Sequence, residues 1–390
     1  MKQLRLLAKA DRRVRLGHAW VFSNEVDIAA TPLAAFEPGE LAELTDMRRN
    51  PIGIVYVNPR ALICARVISR DVRATIDARW FAARIRRALA LREHVFAAPY
   101  YRLLYGESDG TPGIVLDRYG DVCVAQLNTA GALALREPFL QALNDVLAPS
   151  GVLVRNSGAM AELEGIPALD DAIGEVPDRI TIREGDMELD APLRAGQKTG
   201  YFFDQRDNRA RLRRYVKPGD RVLDAFSYVG AWGVSAGLAG AGETVCIDAS
   251  ALAIEYATQN GDRNGTRIDG IAGDAVEEME RLAGEGRRFE VVVIDPPALI
   301  KRRKDQAAGE GRYARIHRAA LGVLAQDGYL VSSSCSHHLA VERLTRVAYD
   351  AARQAGRRLQ LLERHAHAPD HPIHPAMPET EYLKTLFLRA

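Results

Sequence analysis

R-V-L-D-A-F-S-Y-V-G-A-W-G-V-S-A-G-L-A-G-A-G-E-T-V-C-I-D, residues 221–248, decides the fold. An apolar run ends in Asp224, small and glycine residues turn the chain, an apolar helical stretch follows, and a second apolar run ends in Asp248. This is a strand, turn, helix, strand unit with a carboxylate at the carboxyl end of each strand. Open α/β sheets bind ligands at those ends, and an acidic residue about 20 or more positions downstream is placed for ribose hydroxyls. The turn is not the G-x-G-x-x-G of dinucleotide enzymes. Gly230 and Gly233 form its one well-placed glycine pair, and the bulky Phe226 and Tyr228 stand where a pyrophosphate needs bare backbone. The unit therefore suits a nucleoside without phosphates, a description that S-adenosylmethionine meets; an α/β packing unit with no ligand is the alternative. Ser227 in the turn and Ser250 just past Asp248 belong to the expected cofactor lining.

From Ala191 onward the alternation is regular. Strands are expected at 221–224, 244–247, 268–272, 290–294, 328–333, 359–363 and 382–388, with helical stretches between most of them. The fold class is α/β, a seven-stranded, mostly parallel sheet with helices on both faces. Only A-H-A-P-D-H-P-I-H-P-A-M-P-E-T joins the last two strands. A connection so rich in proline is no crossover helix, so the final strand is expected to insert antiparallel.

Ahead of this region the pattern changes. Residues 1–72 read as short strands between Gly, Pro and Asn, as in a small β barrel, and residues 73–190 mix helices and strands into a middle α+β domain. The third domain covers 191–390. Net charge is only +1 over 390 residues, but Lys2, Arg5, Lys9, Arg12, Arg13 and Arg15 crowd the amino terminus, and Lys301 to Lys304 are four consecutive bases. Such runs are either solvated faces or phosphate contacts. No apolar stretch reaches the roughly 18 residues of a membrane helix and no signal peptide is visible, so no membrane partner and a cytoplasmic location are expected.

Each parallel strand is followed by something polar: Asp224, Asp248, then Gly273 and Asp274, then Asp295 with Pro296 and Pro297, then Cys335. Asp274 could accept from an adenine amino group or simply cap the next helix. Two prolines fix the backbone beyond Asp295, so this carboxylate has a set orientation suited to a base or an amine. Cys64, Cys123 and Cys246 lie in apolar runs and read as core residues, whereas Cys335 stands where a strand gives way to S-S-S-C-S-H-H. Its thiol needs local help to ionise, from His337, His338 or a helix amino terminus. The late histidines His365, His367, His371 and His374 have irregular spacing on or beside a proline-rich loop, and no metal is expected.

At these motifs the chain resembles the RlmI-like family of bacterial 23S ribosomal RNA cytosine-5 methyltransferases. The matching segments include G-H-A-W-V-F-S-N-E-V, G-E-S-D-G-T-P-G-I-V-L-D-R-Y-G-D, G-Q-K-T-G-Y-F-F-D-Q-R-D-N-R, V-V-V-I-D-P-P-A, S-S-C-S-H-H-L and D-H-P-I-H-P-A-M-P-E-T-E-Y-L-K. The resemblance implies an RNA-binding PUA domain, a central domain, a class I methyltransferase domain, S-adenosylmethionine as cofactor and 23S ribosomal RNA as partner, and it leaves a homodimer open. It implies that Gln197, Lys198 and Thr199, with Phe202 to Arg206, lead into the cofactor site, and that Cys335 is the nucleophile with Asp295 on the base. Many such enzymes carry a second cysteine just after the D-P; here Pro297 and Ala298 stand there. Two other readings compete: methylation of a guanine nitrogen, which needs no cysteine, and a non-catalytic RNA-binding protein on the same fold.

Overall fold

Aliphatic runs bounded by glycine, proline and aspartate form four sheets in the computed structural model, which describes residues 1–156, 158–196 and 198–390. Two compact units result: residues 1–178, 193–201 and 369–380 make one, and 179–192, 202–368 and 381–390 the other.

The first unit holds two five-stranded sheets. In one, Lys2–Arg5, Glu40–Thr45, Pro51–Val57, Ile63–Ser69 and Trp20–Phe22 lie side by side in that order. In the other the order is Asp170–Gly174, Gly151–Arg155, Val122–Leu127, Ile114–Tyr119 and Tyr100–Tyr105. Asp77 caps the helix Ala78–Val95 by accepting from the Trp80 backbone N–H. Phe81 and Ile85 on that helix share one apolar core with Phe139, Leu103, Leu116 and Val154. Buried polar contacts tie residues 1–72 to segments that connect strands of the second sheet. The Tyr56 hydroxyl donates to the Pro112 carbonyl at 3.2 Å, and Asn58 Nδ2 and Arg66 Nη2 each reach Glu164 at 2.8 Å. The expected first and middle domains thus share one unit.

The second unit opens with a hairpin, Arg179–Glu184 and Met187–Pro192. Placed in the middle domain by its sequence pattern, it instead packs here: Asn260 accepts from the Asp190 N–H at 2.7 Å and donates to the Asp190 and Val229 carbonyls, both at 2.9 Å. The fully paired Arg209–Glu184 bridge, 2.6 Å on both arms, adds a buried link that would be costly to break singly.

The main sheet follows as β1 (Arg221–Ala225), α1 (Ala231–Leu238), β2 (Glu243–Asp248), α2 (Ala251–Arg263), β3 (Asp269–Ala272), α3 (Ala275–Gly284), β4 (Phe289–Ile294), α4 (Gln306–Val323), β5 (Leu324–Ser334), α5 (Val341–Gln354), β6 (Gln360–His365) and β7 (Lys384–Arg389). The spatial order is 3-2-1-4-5-7-6, with β7 antiparallel to both β5 and β6, as the proline-rich connection requires. The central strands are largely apolar, Val222, Leu223 and Val291 to Val293 being fully buried, because helices cover both faces. Register sets Ala225 beside Ile247 and Ile294, and Ile294 beside Ser332. The residues just beyond them therefore emerge along one edge. Among the described residues, no helix is long and apolar enough to cross a membrane.

Candidate active site

The turn after β1 is held open by its backbone. Phe226 and Tyr228 have φ of 66° and 49° and Gly230 has 77°, all left-handed, so two bulky side chains carry strain of the kind concentrated at ligand sites. At Gly230 a Cβ would come within 2.7 Å of the Ala257 Cβ, so glycine answers both the conformation and the close approach of α2. The loop is tied to its neighbours by Ser227 N–H donating to the Ile247 carbonyl at 3.0 Å and Tyr228 N–H to Asp248 Oδ2 at 2.9 Å. Asp248 Oδ1 accepts from the Ser250 N–H at 2.9 Å, and Ser250 caps α2 through the Ala253 N–H.

Asp224 is fully buried at the end of β1. Its Oδ2 accepts from the Gly233 N–H at 3.0 Å, while Oδ1 has no hydrogen-bond partner among the described residues. Burial pushes its carboxyl up to about 7, and the charges of Asp295 and Asp248 add to the rise. Three carboxyl groups thus converge on one edge. Such a set repels a phosphate and suits a cation, and the unsatisfied Asp224 oxygen, which costs about 1–3 kcal/mol if left so, matches an ammonium donor. S-adenosylmethionine, with a sulfonium and an α-ammonium group, fits this donor set. Asp274 spends its Oδ1 on capping α3, accepting from Val276 and Glu277 N–H at 2.9 and 3.1 Å, and Gly273 N–H donates to the Asp248 carbonyl at 3.0 Å.

Asp295 follows β4, half-buried. Its Oδ2 accepts from Gln205 Nε2 at 3.0 Å and Trp232 Nε1 at 3.1 Å. Gln205 is itself oriented, its Oε1 accepting from Asn208 Nδ2 at 2.7 Å and the Thr385 hydroxyl at 3.3 Å. Burial pushes the Asp295 carboxyl up to about 6, with the charge of Asp204 adding to the rise and the bonds from Trp232 and Gln205 opposing it. A proton on this carboxyl therefore sits on Oδ1, since Oδ2 faces two donors.

Cys335 lies one residue beyond β5, half-buried, and its Sγ is 4.0 Å from the Pro296 carbonyl oxygen. The turn is braced on both sides. The Tyr313 hydroxyl on α4 bonds Ser334 Oγ at 2.7 Å and Ser336 Oγ at 3.0 Å, and the Ile300 N–H donates to Ser336 Oγ at 3.1 Å. The other three cysteines are buried in strands, and burial pushes Cys64 and Cys123 up to about 12.

One edge of the second unit therefore gathers Asp224, Phe226, Ser227, Gly230, Asp248, Ser250, Gly273, Asp274, Asp295 and Cys335. Phe202, from the segment before β1, packs edge-on against Tyr228 with ring centroids 5.4 Å apart. Thr199 lies in the first unit, buried, its carbonyl accepting from the Tyr119 hydroxyl at 3.0 Å. Gln197 lies outside the described residues. The histidine loop divides: Asp370, in the first unit, accepts from the Arg102 N–H at 3.0 Å, and His365 bonds Glu363 at 2.8 Å in β6. Sequence reasoning missed Trp232 and Lys384, and reached Gln205 only as part of the 202–206 segment, without its role toward Asp295. Trp232 sits in an apolar helix pattern that reads as core, and Gln205 precedes the sheet. Lys384 carried one signal, a charge just ahead of the apolar run Leu386 to Leu388.

Residues 4–70 match a PUA-like domain, and residues 168–389 match the S-adenosylmethionine-dependent methyltransferase family. The chain is 34% identical to a ribosomal RNA large subunit methyltransferase of Deinococcus radiodurans, over 99% of this chain and 97% of that one. It is also 34% identical to ribosomal RNA large subunit methyltransferase I of Cronobacter sakazakii, over 94% of each. A crystal structure described as a methyltransferase complexed with SAH shares the fold, with a TM-score of 0.85 over 100% of both chains at 18% identity. The chain thus belongs to the S-adenosylmethionine-dependent ribosomal RNA large subunit methyltransferase family, a class I methyltransferase domain with S-adenosylmethionine as its cofactor and a PUA-like domain ahead of it.

Proposed function

We propose that this enzyme methylates carbon 5 of a cytosine in 23S ribosomal RNA, with Cys335 as nucleophile and Asp295 on the N3 and N4 edge of the base. The observation that carries this reading is the approach of Cys335 Sγ to the Asp295-Pro296-Pro297 corner. The names of the relatives support ribosomal RNA as substrate.

Carbon 5 of cytosine is a poor nucleophile. The Cys335 thiolate adds to carbon 6, forming the S–C6 bond and turning the ring into an enamine. Asp295 Oδ1 faces N3, where negative charge develops, and a carboxyl with a raised pKa passes its proton there at low cost. S-adenosylmethionine, when bound, supplies the electrophilic methyl group. Loss of the carbon-5 proton to solvent, departure of the Cys335 thiolate and return of the N3 proton to Asp295 restore the aromatic ring. The base must leave any stack to be reached in this way, which favours a loop or single strand.

Asp224, Asp248 and Asp274, with Phe226, Ser227, Gly230, Ser250 and Gly273, would hold the cofactor, and Gln197 and Thr199 belong to the same proposal through the family resemblance. Asp248 would take the ribose hydroxyls. Asp248→Ala should weaken S-adenosylmethionine binding about 10- to 100-fold, the range of lost hydrogen bonds to a charged group. Calorimetry with an unchanged affinity would remove Asp248 from the ribose. Phosphate contacts are assigned to the exposed Lys301 to Lys304 run and to a cavity of about 560 Å³ lined by Lys9, Arg12, Arg13 and His18.

The deciding experiment supplies methyl-labelled cofactor and unmodified 23S RNA, then separates the nucleosides. Labelled 5-methylcytidine is expected; label on guanosine, or none, overturns the reading.

A further inference from the structure

Buried lysines need an explanation, because an ammonium taken out of water is costly unless an anion balances it. Lys384 is 9% exposed at the start of β7, directly opposite Ser334 in the antiparallel ladder. Its Nζ donates to the Ser336 and Tyr382 carbonyls, both at 2.7 Å. Both acceptors are neutral, and among the described residues no carboxylate is ion-paired with it. Ser334 and Ser336 flank Cys335, so the ammonium is fixed against the very turn that presents the thiol.

We propose that Lys384 is the fixed positive charge that stabilises the Cys335 thiolate, a positioning residue that acts through that sulfur. Its purpose rests on the reading of Cys335 as nucleophile, although its test does not. Burial lowers the ammonium to about 8, and the charge of Cys335, followed by that of the exposed Glu381, opposes the fall, so the ammonium and the cysteine sulfur lie within electrostatic reach of each other. Other groups face the turn: the Tyr313 hydroxyl from α4, the Pro296 carbonyl beyond β4, and His337 and His338 after the cysteine. The His337 and His338 rings stack edge-on against each other, 5.2 Å apart, on the side where the chain leaves β5.

The test alkylates the full-length protein with iodoacetamide between about pH 6 and 10 and reads the Cys335 peptide by mass spectrometry, the other thiols being buried. Wild-type protein should show an apparent thiol pKa below the free value of about 8.5. Lys384→Met should raise it by at least about one pH unit and slow alkylation at pH 7 about tenfold, while Lys384→Arg keeps the wild-type profile. Identical profiles for wild type and Lys384→Met overturn the proposal. So does a wild-type pKa at or above about 8.5, a result that needs no variant to fold. Because alkylation reports the thiol alone, survival of 5-methylcytosine formation in Cys335→Ala would remove the nucleophile reading and leave this pairing to be judged on its own profile.

Discussion

Cys335→Ala is expected to lower 5-methylcytosine formation at least about 10³-fold, since removing the nucleophile of a covalent mechanism removes the pathway and not one contact. The expected loss is confined to chemistry. The thiol is half-buried, 4.0 Å from the Pro296 carbonyl, and takes no part in the Tyr313, Ser334 and Ser336 hydrogen bonds, so alanine leaves those bonds intact. Melting temperature and cofactor affinity should stay close to wild type. A second readout follows from the proton balance. RNA carrying 5-fluorocytosine has no carbon-5 proton to lose, so wild-type enzyme should retain it as a covalent complex that survives denaturation, and Cys335→Ala should not. If Cys335→Ala keeps its turnover and the label lies on guanine, Asp295 is orienting an exocyclic amine, and the cysteine is a brace of the β5 turn.

Much of this site was legible before any coordinates, and the reason is geometric. In a parallel sheet the carboxyl ends of successive strands share an edge, so an apolar run followed by a polar residue already states where that residue goes. Asp224, Asp248, Asp295 and Cys335 stand at strand ends for that reason, with Ala225 beside Ile247 and Ile294 beside Ser332 in register. Residues delivered by other routes were not legible. Trp232 packs among Val222, Val291 and Val331 like any core aromatic, and only its Nε1 reveals a second duty toward Asp295. Lys384 reaches the cysteine turn through an antiparallel register set across about fifty residues of sequence, which no local pattern encodes. The partner of the hairpin at 179–192 is illegible for a similar reason. Its alternation announces two strands but not the partner, and Asn260, far along the chain, decides which unit it joins.

Asp295→Asn should lower kcat by about 10²-fold or more, the usual contribution of a positioned proton donor, while RNA affinity stays within about threefold. The hydrogen-bond pattern dictates how the new amide must sit. Trp232 Nε1 and Gln205 Nε2 both point donors at the inner atom, so that atom has to be the amide oxygen. Gln205 cannot readily turn over to rescue the opposite orientation, because its Oε1 is engaged by Asn208 and Thr385. The amide nitrogen therefore faces outward, where it still donates a hydrogen bond to N3 of a bound cytosine. It keeps recognition and loses transfer, for an amide gives up no proton as the thiolate adds to carbon 6. The measurement is a pair: single-turnover rate with saturating RNA, and RNA affinity by filter binding. A loss carried wholly by affinity would mean that Asp295 only orients the base. An unchanged rate would mean that the charge at N3 is balanced by another group, and that the raised carboxyl pKa is a consequence of burial without a catalytic use.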